Sequence, residues 1–237
     1  TATPGILSAS GEVALDNGDG RFVFDADRLP LLQRPDRWMI LSGKGEARST
    51  WTSLKLEADF VADAGYIEFA ESPPPSLSDD VVVLGRDDAP KEGGFAVTAD
   101  VRVRLGEALH LSAMGLETRL AGELMLRARP GLPLAAVGSV STVGGVFRGY
   151  GQNLTIDRGV VNFQGPLDNP GLNVVALRKG LAVEAGVAVT GSARRPMVKL
   201  VSQPNVPDPE KLSWLVLGRA PDAGSGADLG LLLPAAQ

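Results

Sequence analysis

The chain has 237 residues, with 23 Lys and Arg against 28 Asp and Glu, a formal net charge of −5 and the wrong sign for a generic nucleic-acid binder. It has no cysteine and one histidine, which excludes disulfides, thiolate zinc sites, cysteine nucleophiles and any site built on two imidazoles. With 29 glycines, 17 prolines and only 5% aromatic residues, the composition favours many short strands over long helices.

In chain order, Thr1 to Gly11 carries neither a basic start followed by an apolar stretch nor an initiator Met, so the chain is expected to be a processed product or an excised piece of a longer one. Asp16-Asn17-Gly18-Asp19-Gly20, between Val13/Leu15 and Phe22/Phe24, predicts a hairpin. Asp27 to Arg37, with Pro30 and Pro35, predicts a strand interruption, and Asp63-Ala64-Gly65 after the Leu54/Leu56 alternation predicts a turn. Ser72-Pro73-Pro74-Pro75-Ser76 through Gly93-Gly94 packs poorly and reads as a long excursion, dividing the chain softly into 1–76 and 77–219.

Beyond it the alternation is plain. Val101, Val103 and Leu105 oppose Arg102 and Arg104; the even positions from Leu116 to Ala128 are apolar or small, while Glu117, Arg119, Glu123, Arg127 and Arg129 stand opposite. Leu154 with Ile156 and Val161 with Phe163 flank a predicted turn at Asp157-Arg158-Gly159, and Leu181, Val183, Ala185, Val187 and Val189 repeat the scheme. Roughly a dozen strands joined by turns rather than crossover helices predict an antiparallel meander in one long sheet. One helix is predicted, with Asp208 as N-cap, Pro209 at the first helical position, Leu212, Leu215 and Val216 on one side and Gly218 at the stop. Residues 220–237 read as a small-residue linker and an apolar tail starting at Leu229, and no apolar run approaches the roughly 18–20 residues of a membrane-spanning helix.

The chemical motifs are sparse. His110 has no Ser/Asp arrangement around it, and neither Gly-x-Ser-x-Gly nor the phosphate-loop pattern occurs. Gly149-Tyr150-Gly151 lacks the third glycine of a dinucleotide loop, since position 154 is Leu154. Asp16, Asp19, Asp25 and Asp27 lack the spacing of a calcium loop and read as a solvated hairpin; Asp79-Asp80 and Asp87-Asp88 read as a charged loop. Asn153-Leu154-Thr155 fits the short glycosylation pattern and decides nothing. No catalytic residue, metal or cofactor is therefore predicted, and the chain is expected not to be an enzyme. The feature with most physical content is the apolar face of the sheet, which must be covered. Two solutions remain open: a sandwich or barrel closed on itself, or an open trough holding acyl chains, toward which the scarcity of aromatics and a smooth Leu/Val/Ala wall point.

From Gly149-Tyr150-Gly151-Gln152-Asn153-Leu154 the chain resembles the TamB family of Gram-negative bacteria. The resemblance continues through Gly165-Pro166, Asn169-Pro170, Gly186-Val187 and Pro196, and closes with Pro207-Asp208-Pro209-Glu210-Lys211-Leu212-Ser213-Trp214-Leu215-Val216-Leu217-Gly218-Arg219. It is specific from about Gly144 to Arg219 and looser over Val13 to Ala70 and Ser78 to Val83. The resemblance implies a periplasmic segment of a long protein tethered to the inner membrane. It also implies an elongated, curled, mainly β sheet (a β-taco) with an aliphatic groove, and transport of phospholipid between inner and outer membranes. The family is further associated with a TamA-type outer-membrane barrel in the assembly and secretion of autotransporters and other outer-membrane proteins. Under the first role, strand alternation nominates Val101, Val103, Leu105, Leu120, Leu124, Leu126, Leu154, Ile156, Leu181, Val183, Val187 and Val189 as the lining that meets phospholipid acyl chains. Under the second, an exposed sheet edge is expected within Gly149 to Gly165, where an unfolded outer-membrane polypeptide or a barrel strand would pair.

Overall fold

The structure, a computed structural model, describes residues 5–69, 95–149 and 151–221. Eleven strands form one sheet in strict chain order: β1 (Ile6–Val13), β2 (Gly20–Leu31), β3 (Arg37–Ser49), β4 (Ser53–Phe69), β5 (Ala96–Ala113), β6 (Leu116–Ala128), β7 (Ala135–Gly149), β8 (Gln152–Pro166), β9 (Gly171–Leu177), β10 (Glu184–Ser192) and β11 (Arg195–Gln203). One helix among the described residues, α1 (Asp208–Val216), follows. The first and last strands do not pair, so the sheet is open rather than closed into a barrel.

The meander is antiparallel with one exception. β4 and β5 run parallel, Ser53 beside Ala96 through Phe69 beside Ala113. A parallel pair needs a connection long enough to return to the starting end, and residues 70–94, where the sequence places its long excursion and the Asp79-Asp80 and Asp87-Asp88 pairs, separate these strands outside the described residues. The two sequence segments on either side of that excursion are thus hydrogen-bonded to each other along their full facing length.

Asp16 to Gly20 forms the predicted hairpin, with Gly18 at φ 70° and the Asn17 side chain accepting from the Asp19 N–H at 2.8 Å. Asp63-Ala64-Gly65 and Asp157-Arg158-Gly159 are not turns. They lie inside β4 and β8, where the register slips between Ala62 and Ala64 and between Ile156 and Arg158. An extra residue bulges out and the strand continues. The expected break at Asp27 to Arg37 is shorter for the same reason: β2 runs on to Leu31 through a slip between Ala26 and Leu29, with Arg28 at φ 51°.

These irregularities line up from strand to strand. Through the pairing, Leu41 meets Ala62, Ala62 meets Leu105, Leu105 meets Gly122 and Leu120 meets Thr142, and register slips sit at or beside each of these positions from β2 to β8. Because a bulge bends its strand and increases its twist, a row of them creases the whole sheet about half-way along its strands. Polar groups displaced by the crease are paired. Ser42 accepts from the Arg28 N–H at 2.9 Å and donates to Asp63 at 2.5 Å, while Thr118 donates to the Gly144 carbonyl at 2.7 Å.

α1 starts one residue differently from expectation. Pro207 is its N-cap, so Asp208 is the first helical residue and its carboxylate pairs with Lys211 at 2.9 Å instead of capping the backbone. The helix stops at Gly218, at φ 73°, whose N–H returns to the Ser213 carbonyl.

Candidate functional site

Directly paired residues share a face of the sheet, so the register assigns every strand to one of two surfaces. One face carries Leu7, Phe22, Phe24, Leu41, Phe60, Val101, Val103, Leu109, Leu120, Leu124, Val140, Leu154, Val161, Ala176, Val187 and Leu200, linked pair by pair across all eleven strands. The other carries charge. Glu46 sits between Arg21 at 2.8 Å and Arg48 at 2.6 Å, Asp59 between Arg104 at 2.9 Å and Arg102 at 3.6 Å, and both oxygens of Asp100 accept from Nη2 of Arg129, at 2.8 and 2.9 Å, with Arg127 farther off at 3.8 Å. The Arg21 guanidinium, with Arg48 beside it, holds the Glu46 carboxyl below its ordinary range. Lys179, bonded to Glu184 and Asp157, is held above the usual lysine range, and Glu184 correspondingly below that of a carboxylate. Arg37 and Arg34 likewise lower Asp36 at the β2–β3 turn.

The apolar face is the inner one. Many of its buried members, among them Ala26, Leu41, Ala62, Leu109, Thr118, Ile156 and Ala176, lie at or beside the crease, while Ala136 and Ala185 are buried away from it. Toward the strand ends the same face opens: Val13 is 44% exposed and Val97 is 42% exposed. Thr118 is the buried polar side chain of this floor, and its hydroxyl is taken by the backbone at the β7 bulge, where Gly144 and Gly145 have φ 68° and 131°.

Of the lining residues expected from sequence, the pairing places Val101, Val103, Leu105, Leu120, Leu124, Leu126, Leu154, Ile156, Val187 and Val189 together on the inner face. Leu181 and Val183 are not in a strand: β10 begins at Glu184, and both residues belong to the β9–β10 turn. There Gly180 takes φ 84° and its N–H bonds the Glu184 carboxylate, so the chain is still turning. Val183 is nevertheless buried.

Sequence reasoning missed the contribution of β1 to β4. The signal was present in the alternation of Phe22 with Phe24 and of Leu54 with Leu56, opposite Ala47, Gly45 and Ser49, and in Phe60 opposite Gly43. These glycines make room for aromatic rings. Phe24 and Phe60 reach over β3 from either side and stack with centroids 6.1 Å apart, and a Cβ at Gly45 would lie against the Phe24 ring. With Phe22, Phe69, Phe147 and Phe163 on the same face, the wall is aromatic as well as aliphatic, contrary to the smooth aliphatic surface expected.

The segment expected to offer a free edge does not. β8 pairs with β7 on one side and β9 on the other, and among the described residues the unpaired edges belong to β1 and β11. His110 lies on the charged face of β5, exposed, beside Tyr66 and Arg119. Among the described residues no group of three or more His, Asp and Glu could hold a metal ion, and no helix is long and apolar enough to cross a membrane.

α1 lies on the inner face at the β10–β11 end. Leu215 packs against the cluster of Leu154, Ile156 and Ala176, with Val187, Phe147 and Leu116 around it. The C-terminal carbonyls of the helix are held: Arg178 donates to the Leu215 and Val216 oxygens at 2.9 and 3.2 Å, and Gln152 donates to Val216 at 3.1 Å. A cation there also complements the helix dipole.

Comparison with known proteins gives two findings. The family model for the TamB C-terminal domain matches residues 1–236. Among curated proteins, the translocation and assembly module subunit TamB of Haemophilus influenzae is 32% identical over 154 residues, which is 61% of this chain and 12% of that protein.

Proposed function

The chain belongs to the TamB family, and we propose that it is a length of apolar groove that carries phospholipid acyl chains between inner and outer membranes during outer-membrane biogenesis. The observation that carries this reading is the unbroken inner face: apolar side chains continue from β1 to β11, while the ion pairs stand on the other side. An acyl chain laid along such a floor gains about 0.8 kcal/mol per buried methylene, and the headgroup stays in water at the open strand ends. Because the gain is similar at each step along the groove, a lipid can shift from one strand to the next without a large barrier. Transfer of this kind needs a continuous dry path and no reacting group, so the segment acts as a conduit rather than an enzyme. Its place is the periplasm, with the inner-membrane tether supplied by another part of the longer protein and a TamA-type barrel as outer-membrane partner.

A second reading rests on a separate observation. Among the described residues β1 and β11 each leave one edge unpaired, and on β11 Met197 and Val198 are 56% and 64% exposed. Such an edge can add a strand of an unfolded outer-membrane polypeptide or of a barrel.

Photo-crosslinking separates the two. A photoreactive residue is placed at Val103, Leu124 or Val161 on the inner face, at Arg104 or Glu123 on the outer one, and at Met197 or Val198 on the β11 edge, in the full-length protein in cells. The conduit reading expects phospholipid adducts at the inner positions only. Adducts confined to polypeptide at Met197 or Val198 would favour the assembly reading and contradict the conduit.

A further inference from the structure

We propose that the floor beneath α1 is an acyl-chain subsite that the helix masks, so that α1 and lipid compete for the β8–β10 end of the groove; this rests on the conduit reading. The floor there is continuous with the rest. Leu154 pairs with Phe147, and Ile156 with Ala176, which pairs with Val187. The element contacts of α1 are with β10 and β11, and at this end Leu215 covers the floor. Leu215 therefore does for Leu154 and Ile156 what an acyl chain would do elsewhere in the groove.

The way α1 is held fits a removable cover. After β11 the chain turns at Ser202, whose hydroxyl accepts the Val206 N–H at 3.2 Å and donates to the Pro204 carbonyl at 2.9 Å, and so brings α1 back over the inner face. The helix is short, nine residues, too short to persist on its own in water. Its seat on β8 and β9 combines the apolar contact of Leu215 with the latch that Arg178 and Gln152 form at its last carbonyls. Gln152 belongs to β8 and Arg178 directly follows β9, and both meet the helix carbonyls only when α1 is seated. Releasing them loosens the helix without disturbing any strand pairing, its remaining contacts being with β10, β11 and the floor beneath Leu215.

The absence of cysteine makes the test direct. The probe is phosphatidylglycerol carrying a fluorescent, photoreactive acyl chain, added to the purified protein, and adducts are mapped to the Leu124 region and to the Leu154 region. Arg178→Ala unlatches the helix. Gln152→Cys with Val216→Cys, joined by a short bis-maleimide, locks it. Masking predicts that Arg178→Ala raises labelling near Leu154 about tenfold, the scale set by losing a charge-assisted hydrogen bond, and that locking abolishes labelling there while labelling near Leu124 persists in every variant. Equal labelling near Leu154 in locked and unlatched proteins, with normal labelling near Leu124, overturns the masking and leaves the conduit intact. No labelling at either region in any variant removes the conduit reading and this proposal with it. If Arg178→Ala loses the β spectrum of the parent, the comparison of locked and unlocked cysteine pairs, before and after coupling, decides alone.

Discussion

Thr118 places a hydroxyl on an apolar floor, and its position at the crease gives it a task. It donates to the Gly144 carbonyl where β7 bulges away from β6 and the ladder cannot supply a partner. Thr118→Val keeps the shape and leaves that carbonyl unpaired, so unfolding in urea is expected to show a loss of about 1 kcal/mol. On the outer face the charged residues act by pairing rather than by burial. Glu46, Glu184 and Asp36 each have a carboxyl pKa lowered by neighbouring cations. A lowered folded-state pKa stabilises fully above the unfolded value, about pH 4, and that stabilisation is lost as pH falls through the folded value. The melting temperature is therefore expected to drop below about pH 4. Glu46→Gln should lower it at neutral pH and shrink the drop on acidification.

At the scale of the strands, bulges decide both the shape and the face that each residue presents. In β8 the inner residues are even-numbered at Leu154 and Ile156 and odd-numbered at Val161 and Phe163, and the extra residue at Asp157-Arg158 reconciles them. Deleting Asp157 should turn one half of the strand over, exposing either Leu154 with Ile156 or Val161 with Phe163. The expected outcome is a lower melting temperature with increased binding of a hydrophobic dye. The change of parity was legible in the sequence, as was the apolar face of β5, β6 and β10. Its cause was not, because Asp-x-Gly with a shift of period looks the same whether the chain reverses or continues. Only a partner strand that runs on past Ile156, as β9 does through Ala176 and Val175, distinguishes them. The parallel β4–β5 pair was hidden for a similar reason: alternation fixes which residues share a face and is silent on strand direction. Leu181 and Val183 kept the alternation of β10 and misled by two positions, since Gly180 and Glu184 hold that stretch in a turn.

For the whole molecule, the open sheet, its line of bulges and its two unlike faces make one object, apolar on one side and ion-paired on the other, and the proposed trough uses the apolar side. Neighbouring residues on β6 provide matched probes of that description, since Leu124 faces the floor beside Val103 and Glu123 faces solvent near Arg102. A carboxylate on the floor has no partner and resists burial under a hydrocarbon chain, whereas neutralising Glu123 leaves the floor unchanged. The most direct measurement is native mass spectrometry of the protein purified with endogenous lipid, comparing wild type, Leu124→Glu and Glu123→Gln at equal folded fraction. Phospholipid bound to wild type and Glu123→Gln, and lost from Leu124→Glu, is the predicted result. Equal phospholipid on all three, or none on any after reloading, would contradict the groove as the lipid path.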